Sequence, residues 1–250
     1  MKNKIQTAVI TCGGYATRRL PITKAIPKEM LPIGNFPAIH FILEELENAG
    51  IKNVLILLGR GREALMNYLD VNFELDEHLR AKNKRTPTNF FKDLNIFYRR
   101  VPMPRGAADC VSFAREFVGR RKFILAFCDD IYFDANPTAE LIADFNENGK
   151  QAITATEILG EKIKNYGVIK WRAENEIEVI NEKPKKAESQ FIAGGRYLLG
   201  DKVFARIEAY RKLCESWNRE ICLTDILNDI AEEEGLRGVQ TAATRIDVGS

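Results

Sequence analysis

Cations gather beside a glycine turn in the stretch TAVITCGGYATRRLPITKAIPKEMLP, residues 7–32. Gly13 and Gly14 close an apolar run, and Arg18, Arg19, Lys24 and Lys28 follow, threaded with Pro21, Pro27 and Pro32. A glycine turn after a strand lets backbone N–H groups approach a phosphate closely. Arginine and lysine then neutralise its oxygens. The prolines keep the segment from winding into a helix and hold the cations in place. These residue types suit phosphate binding. Glycines and basic residues alone are equally compatible with an ordinary turn carrying solvated charges. GGYATR is neither the G-x-G-x-x-G of dinucleotide folds nor the G-x-x-x-x-G-K-[ST] of P-loop enzymes.

The elements that must position this turn alternate in type. Strands are expected at 7–11, 53–58, 95–99 and 123–127, and helices at 37–48, 62–69, 74–84, 107–117 and 138–148. The strands are apolar on both sides, as in a sheet covered on both faces. This β-α-β-α order predicts an α/β fold with a doubly wound, mixed but mostly parallel sheet. After residue 150 come short strands at 151–157, 168–171, 177–180 and 191–198, read as an antiparallel subregion. Helices at 201–214 and 223–234 and a last strand over 239–248 complete the chain. We expect one domain over 1–250, with a change of character at about residue 150. Residues 81–93 are the best candidate for a mobile surface loop. Phe90 and Phe91 are read as outer cover of the core, and Trp171 and Trp217 as packing or interface residues.

Composition narrows the function classes. With 250 residues, 45% hydrophobic and 29% charged, the chain can bury a full α/β core. A formal net charge of +2 argues against nucleic acid or an acidic membrane as partner. No apolar run is long enough to span a bilayer, and the start MKNKIQTAV has no signal-peptide core. Five cysteines without CxxC spacing and only two histidines, His40 and His78, speak against zinc. We read the thiols as reduced and the location as cytoplasmic.

The full string resembles the glycine-rich loop of the sugar-nucleotide pyrophosphorylases, a nucleotidyltransferase family. Within it, LPITKAIPKEMLP is similar to the bacterial UTP–glucose-1-phosphate uridylyltransferases. The likeness continues in order through NYLDVNFELDEHL, FCDDIYFD, NYGVI, NEKPK, GGRYLL, EICLTDIL and RIDVG. It implies a reaction in which a sugar 1-phosphate attacks a nucleoside triphosphate, here UTP with glucose 1-phosphate, and pyrophosphate leaves. By the resemblance, Arg18 and Lys28 are catalytic, and Gly13, Gly14, Thr17, Val101 and Gly106 bind the nucleotide. Gly167, Glu182, Lys183 and Gly195 bind the sugar phosphate. Asp129 and Asp247 hold Mg²⁺, Asp129 being preferred over the adjacent Asp130. A nucleotide-binding half to about residue 150, a sugar-binding half over about 151–250 and a homo-oligomer are also implied.

Three departures cluster near the nucleotide. Ala16 stands at the family's second glycine, which it can replace without strain only at negative φ. Val101 stands where a glutamine reads the pyrimidine edge and has no side-chain hydrogen bond to offer. RGAADC, residues 105–110, is closer to the RGTADA of adenylyl-transferring relatives. The same chemistry with dTTP, ATP or another sugar phosphate is therefore an alternative, as is a non-catalytic sugar-nucleotide-binding paralogue.

Overall fold

A nine-stranded mixed sheet organises the protein in a computed structural model, which describes residues 4–84, 90–102, 105–215 and 219–249. Residues 85–89 of the expected loop, Met103, Pro104 and Trp217 lie outside the described residues. The first half runs β1 (Thr7–Cys12), the short pair β2 (Pro32–Ile33) and β3 (Phe36–Pro37), α1 (Ala38–Asn48) and β4 (Asn53–Leu58). Then come α2 (Glu63–Leu69), α3 (Phe73–Ala81), β5 (Asn95–Arg100), α4 (Ala107–Ser112), α5 (Arg115–Val118) and β6 (Phe123–Phe127). The second half runs β7 (Asp130–Phe133), α6 (Pro137–Asn148), β8 (Ala152–Glu157), β9 (Gly167–Ala173), β10 (Glu176–Glu182) and β11 (Phe191–Leu199). It ends with α7 (Lys202–Glu215), α8 (Leu223–Glu233), β12 (Leu236–Thr241) and β13 (Thr244–Asp247).

The sheet order is β5-β4-β1-β6-β11-β8-β12-β10-β9. The pairs β5–β4, β4–β1 and β1–β6 are parallel, and helices connect β1 to β4, β4 to β5 and β5 to β6. Beyond residue 150 the pairing is mixed, with β12 parallel to β8 among antiparallel neighbours. β11 runs antiparallel to β6 and β8, and β10 runs antiparallel to β9 and β12. A further β11–β9 pairing closes β11, β8, β12, β10 and β9 into a five-strand ring. The physical reason is connection length. β9 and β10 are joined by a tight turn with Asn175 at φ 57°, and only antiparallel strands accept so short a link.

Alternate residues of the parallel strands feed opposite faces. Ala8, Ile10 and Cys12 pack in one buried cluster with Ile39, Ile42, Leu43 and Leu46 of α1. Val9 belongs to the other, with Val111 of α4 and Ile226 and Ile230 of α8. Burying both faces is what made these strands continuous apolar runs in the sequence.

Two expected elements are broken. The helix over 107–117 divides into α4 and α5, where Phe113 and Ala114 bond three residues back and Ser112 Oγ donates to Asp109 O at 2.7 Å. The strand over 239–248 divides at residues 242–243, where Thr241 Oγ1 accepts from Ala243 N. The divided strand matters for the site. β13 leaves the main sheet and pairs with β7, an unexpected strand, placing Asp247 opposite Asp130.

Phe90 covers the core from outside as expected, whereas Phe91 is buried within it. Phe90 lies 5.8 Å from the Tyr68 ring and Phe91 5.0 Å from the His40 ring. Trp171 packs edge-on to Phe191.

Candidate active site

The glycine turn begins where β1 ends, at the carboxyl edge of the parallel strands, where open α/β sheets receive ligands. Gly59, at the end of β4, forms its floor. Its N–H donates to Cys12 O at 3.0 Å, and a Cβ added there would lie 2.8 Å from Gly13 O. Arg62 holds the turn from the side. Its Nη2 donates to Gly14 O at 2.6 Å and its Nε to Cys12 O at 3.2 Å, while Nε also meets Glu29. Glu29 is fully buried, and burial raises its carboxyl against the pull of Arg62. Nothing in the family string pointed to Arg62. Its only signal was a basic residue in the loop after the second long strand.

Ala16 has φ 50° and ψ 46°, the left-handed region. The condition set by the sequence, a negative φ, is not met, so the backbone here is strained.

A cavity of about 480 Å³ opens over this turn. Gly13, Gly14 and Thr17 line one side, and Val101, Gly106 and the buried Cys110 another. Burial pushes the Cys110 thiol up to about 12, so it stays protonated at neutral pH. Gly106 sits at φ 102°, and a Cβ there would lie 2.6 Å from Ile221 O. Ile221 N donates to Arg105 O at 2.7 Å, which ties this loop to the segment before α8.

A second cavity of about 380 Å³ adjoins the first. The two share Ala107, Phe127, Asp129 and Glu220 as common wall. Gly167, Glu182, Lys183 and Asp247 line the second, and so does Arg18, which faces this cavity rather than the glycine turn. Glu182 accepts from Thr224 Oγ1 at 3.1 Å and pairs with Lys183 Nζ at 3.2 Å. A Cβ on Gly167 would lie 3.2 Å from Glu182 Oε2, so glycine leaves this carboxylate open. Gly195 lines neither cavity. It sits at φ 70° with its Cα against buried Asp130, where any side chain would collide with the carboxylate. Its expected sugar contact is replaced by a packing role.

Asp129 stands on the shared wall, in the two-residue turn between β6 and β7, so the strand does not continue through it; Asp130 begins β7 and also lines the second cavity. Val248 N donates to Asp129 O at 2.9 Å, drawing β13 alongside. A Cβ on Gly249 would lie 2.8 Å from Asp129 Oδ2 and 3.1 Å from Asp247 Oδ1, so both carboxylates converge on one point. Lys28 Nζ lies 2.6 Å from Asp129 Oδ2. Burial works against the Lys28 ammonium, yet Cys128 and Asp129 beside it raise its pKa above the ordinary lysine value. Asp247 accepts from Tyr166 OH at 2.9 Å and from Gly249 N at 2.7 Å. Arg245 stacks 4.6 Å from the Tyr166 ring centre and pairs with Asp130. Burial pushes the Asp130 carboxyl up to about 6, against the pull of Arg245. Among the described residues, no group of three or more His, Cys, Asp or Glu side chains gathers as a metal site, and no helix is long and apolar enough to cross a membrane.

The nucleotidyl transferase family profile matches residues 7–250. UTP–glucose-1-phosphate uridylyltransferase 2 of Streptococcus pyogenes serotype M3 is 33% identical over 261 residues, covering 98% of this chain and 86% of its own. Among solved structures, a UTP-bound UGPase from Acinetobacter baumannii superposes with TM-score 0.88 at 26% identity, over 99% of this chain and 90% of that one. A UDP-glucose pyrophosphorylase complexed with UDP-glucose superposes with TM-score 0.82 at 28% identity, over 99% and 94%.

Proposed function

Because the chain belongs to the nucleotidyl transferase family, we propose that it joins UTP and glucose 1-phosphate into UDP-glucose, releasing pyrophosphate. The observation that carries this reading is the continuity of the two cavities across Asp129. One takes the triphosphate and base, the other the sugar phosphate, and the reacting phosphorus falls at the common wall. The same division supports a nucleotide half before about residue 150 and a sugar half after it.

The sugar phosphate oxygen attacks the α-phosphorus in line. A new O–P bond forms as the bond to the β-phosphate breaks, and pyrophosphate departs with the electron pair. The nucleophile is already an anion, so no general base is needed. The task is to bring two polyanions together, which makes positioning and charge neutralisation the main contributions. The turn at Gly13 and Gly14 offers backbone N–H groups to the phosphates, with Thr17 beside it. Lys28, next to that turn and to Asp129, neutralises the α-phosphoryl. Arg18, on the other side of Asp129, neutralises the incoming phosphate. Glu182 accepts from sugar hydroxyls at Gly167, and Lys183 takes the sugar phosphate.

Asp129 and Asp247 fit a divalent cation. Their oxygens converge, the donor set is hard, and two carboxylates plus phosphates are what Mg²⁺ ordinarily uses. When bound, such an ion spreads and neutralises the charge of the triphosphate oxygens.

Val101 is fully buried in the wall of the first cavity, so base choice falls to groups around Gly106. Losing one buried polar contact relaxes discrimination by roughly 1–3 kcal/mol, which favours some turnover with dTTP or ATP. A panel of triphosphates and sugar 1-phosphates, with and without Mg²⁺, scored for pyrophosphate, tests both points. Turnover with UTP and glucose 1-phosphate is expected to be fastest, and none with that pair refutes the reading. We also take the protein to be a cytoplasmic homo-oligomer. Its five cysteines are all free thiols, and Val71, Phe73 and Leu75 present apolar surface that a second copy would cover. Light scattering tests the oligomer.

A further inference from the structure

Arg196 of β11 is wholly buried, yet it lines neither cavity. Its guanidinium is fully engaged. Nη1 donates to Phe127 O at 3.2 Å and Nη2 to Asp130 O at 2.8 Å. Phe127 ends β6 and Asp130 begins β7, so only Cys128 and Asp129 lie between the two gripped carbonyls. The fork is balanced by Glu45 of α1, which accepts from Nε at 3.0 Å and from Nη2 at 2.8 Å. Glu45 is fixed in turn by Thr138 Oγ1 at 2.5 Å. A guanidinium is planar and rigid, so two carbonyls bound to it keep a set separation and direction. An ammonium is a point charge and cannot span them.

We propose that Arg196 is a positioning residue for Asp129: by clamping both ends of the two-residue link, it aims the Asp129 carboxylate at the point where Asp247 arrives. The inference rests on Asp129 being a metal ligand, as read above. A purely structural role, fastening α1 to the sheet through Glu45, predicts something different for the two partners of the ion pair.

The test is a Mn²⁺ titration of the full chain followed by electron paramagnetic resonance, with thermal midpoints measured alongside. Arg196→Lys keeps a charge for Glu45 but loses the fork, and is expected to weaken Mn²⁺ binding roughly tenfold, at the lower end of what outer partners of metal ligands contribute. Glu45→Gln breaks the ion pair but leaves both carbonyl contacts. It is expected to lower the midpoint while holding Mn²⁺ affinity within about twofold of the wild type, well short of that effect. If Arg196→Lys does not fold, the paired change Arg196→Met with Glu45→Leu removes both buried charges together and carries the same expected loss. Wild-type Mn²⁺ affinity in a folded Arg196 variant overturns the inference, and so does an equal loss in Glu45→Gln. Asp129→Asn separates the premises. If it binds Mn²⁺ as the wild type does, the metal reading of Asp129 fails; if it loses binding while the Arg196 variants do not, only the positioning role fails.

Discussion

Asp129 and Asp247, 118 positions apart in the chain, meet over the Cα of Gly249. The contact is made by strand pairing, since β13 lies antiparallel to β7 and Val248 N reaches Asp129 O. Gly249→Ala therefore places a methyl between the two carboxylates. Activity is expected to fall about ten- to a hundredfold, the range for disturbing groups that orient metal ligands. The metal concentration giving half-maximal rate should rise, while the thermal midpoint changes little. Initial rates across a Mg²⁺ series check this, and an unchanged metal dependence contradicts it.

Gly106 meets two demands at once, a φ of 102° and an approach to Ile221 O that leaves no room for Cβ. Gly106→Ala should separate the loop over the first cavity from the segment before α8. The expected result is a KM for UTP raised about tenfold with a stability loss of about 1–3 kcal/mol. Denaturant melts and a KM measured for each substrate separately test it, because the glucose 1-phosphate KM should move less.

Ala16 predicts a gain. An alanine held in the left-handed region costs roughly 1–2 kcal/mol, whereas glycine enters it freely but is more flexible when unfolded. Ala16→Gly should stabilise the protein by up to about 1 kcal/mol. A midpoint that falls would show that the turn is not strained as its φ implies.

His40 predicts a pH dependence. Burial lowers its pKa below the ordinary 6.5, and Tyr68 OH lies 2.8 Å from Nδ1. Below about pH 6.5 the unfolded chain binds a proton that the folded one refuses, so stability rises with pH in this window and is lost as pH falls toward the folded value. Midpoints at pH 7.5 and 5.5 should differ more for the wild type than for His40→Phe. Equal differences refute the assignment.

Much of the frame was legible because local signals agreed with the global fold. The strands over 53–58 and 123–127 emerge at the expected limits, since a strand buried on both faces must be apolar throughout. The glycine turn was legible from residue type, but a phosphate role for it was read only with the family string, because glycines and cations alone also suit an ordinary solvated turn. The base region was less legible. Val101 declares what it cannot do, but backbone donors carry no residue type.

What the sequence by itself determined is therefore a cation-rich glycine turn near the N-terminus, the layered α/β order and the residues of the family string. The tertiary structure alone decided which of them meet. It sent Arg18 to the second cavity and Gly195 to the packing of Asp130. It also brought Arg62 to the glycine turn and Arg196 to the carbonyls flanking Asp129. These contacts join residues far apart in the chain through strand register, loop closure and a positive φ. No pattern of local periodicity encodes such distances, since periodicity reports only which face of an element is buried.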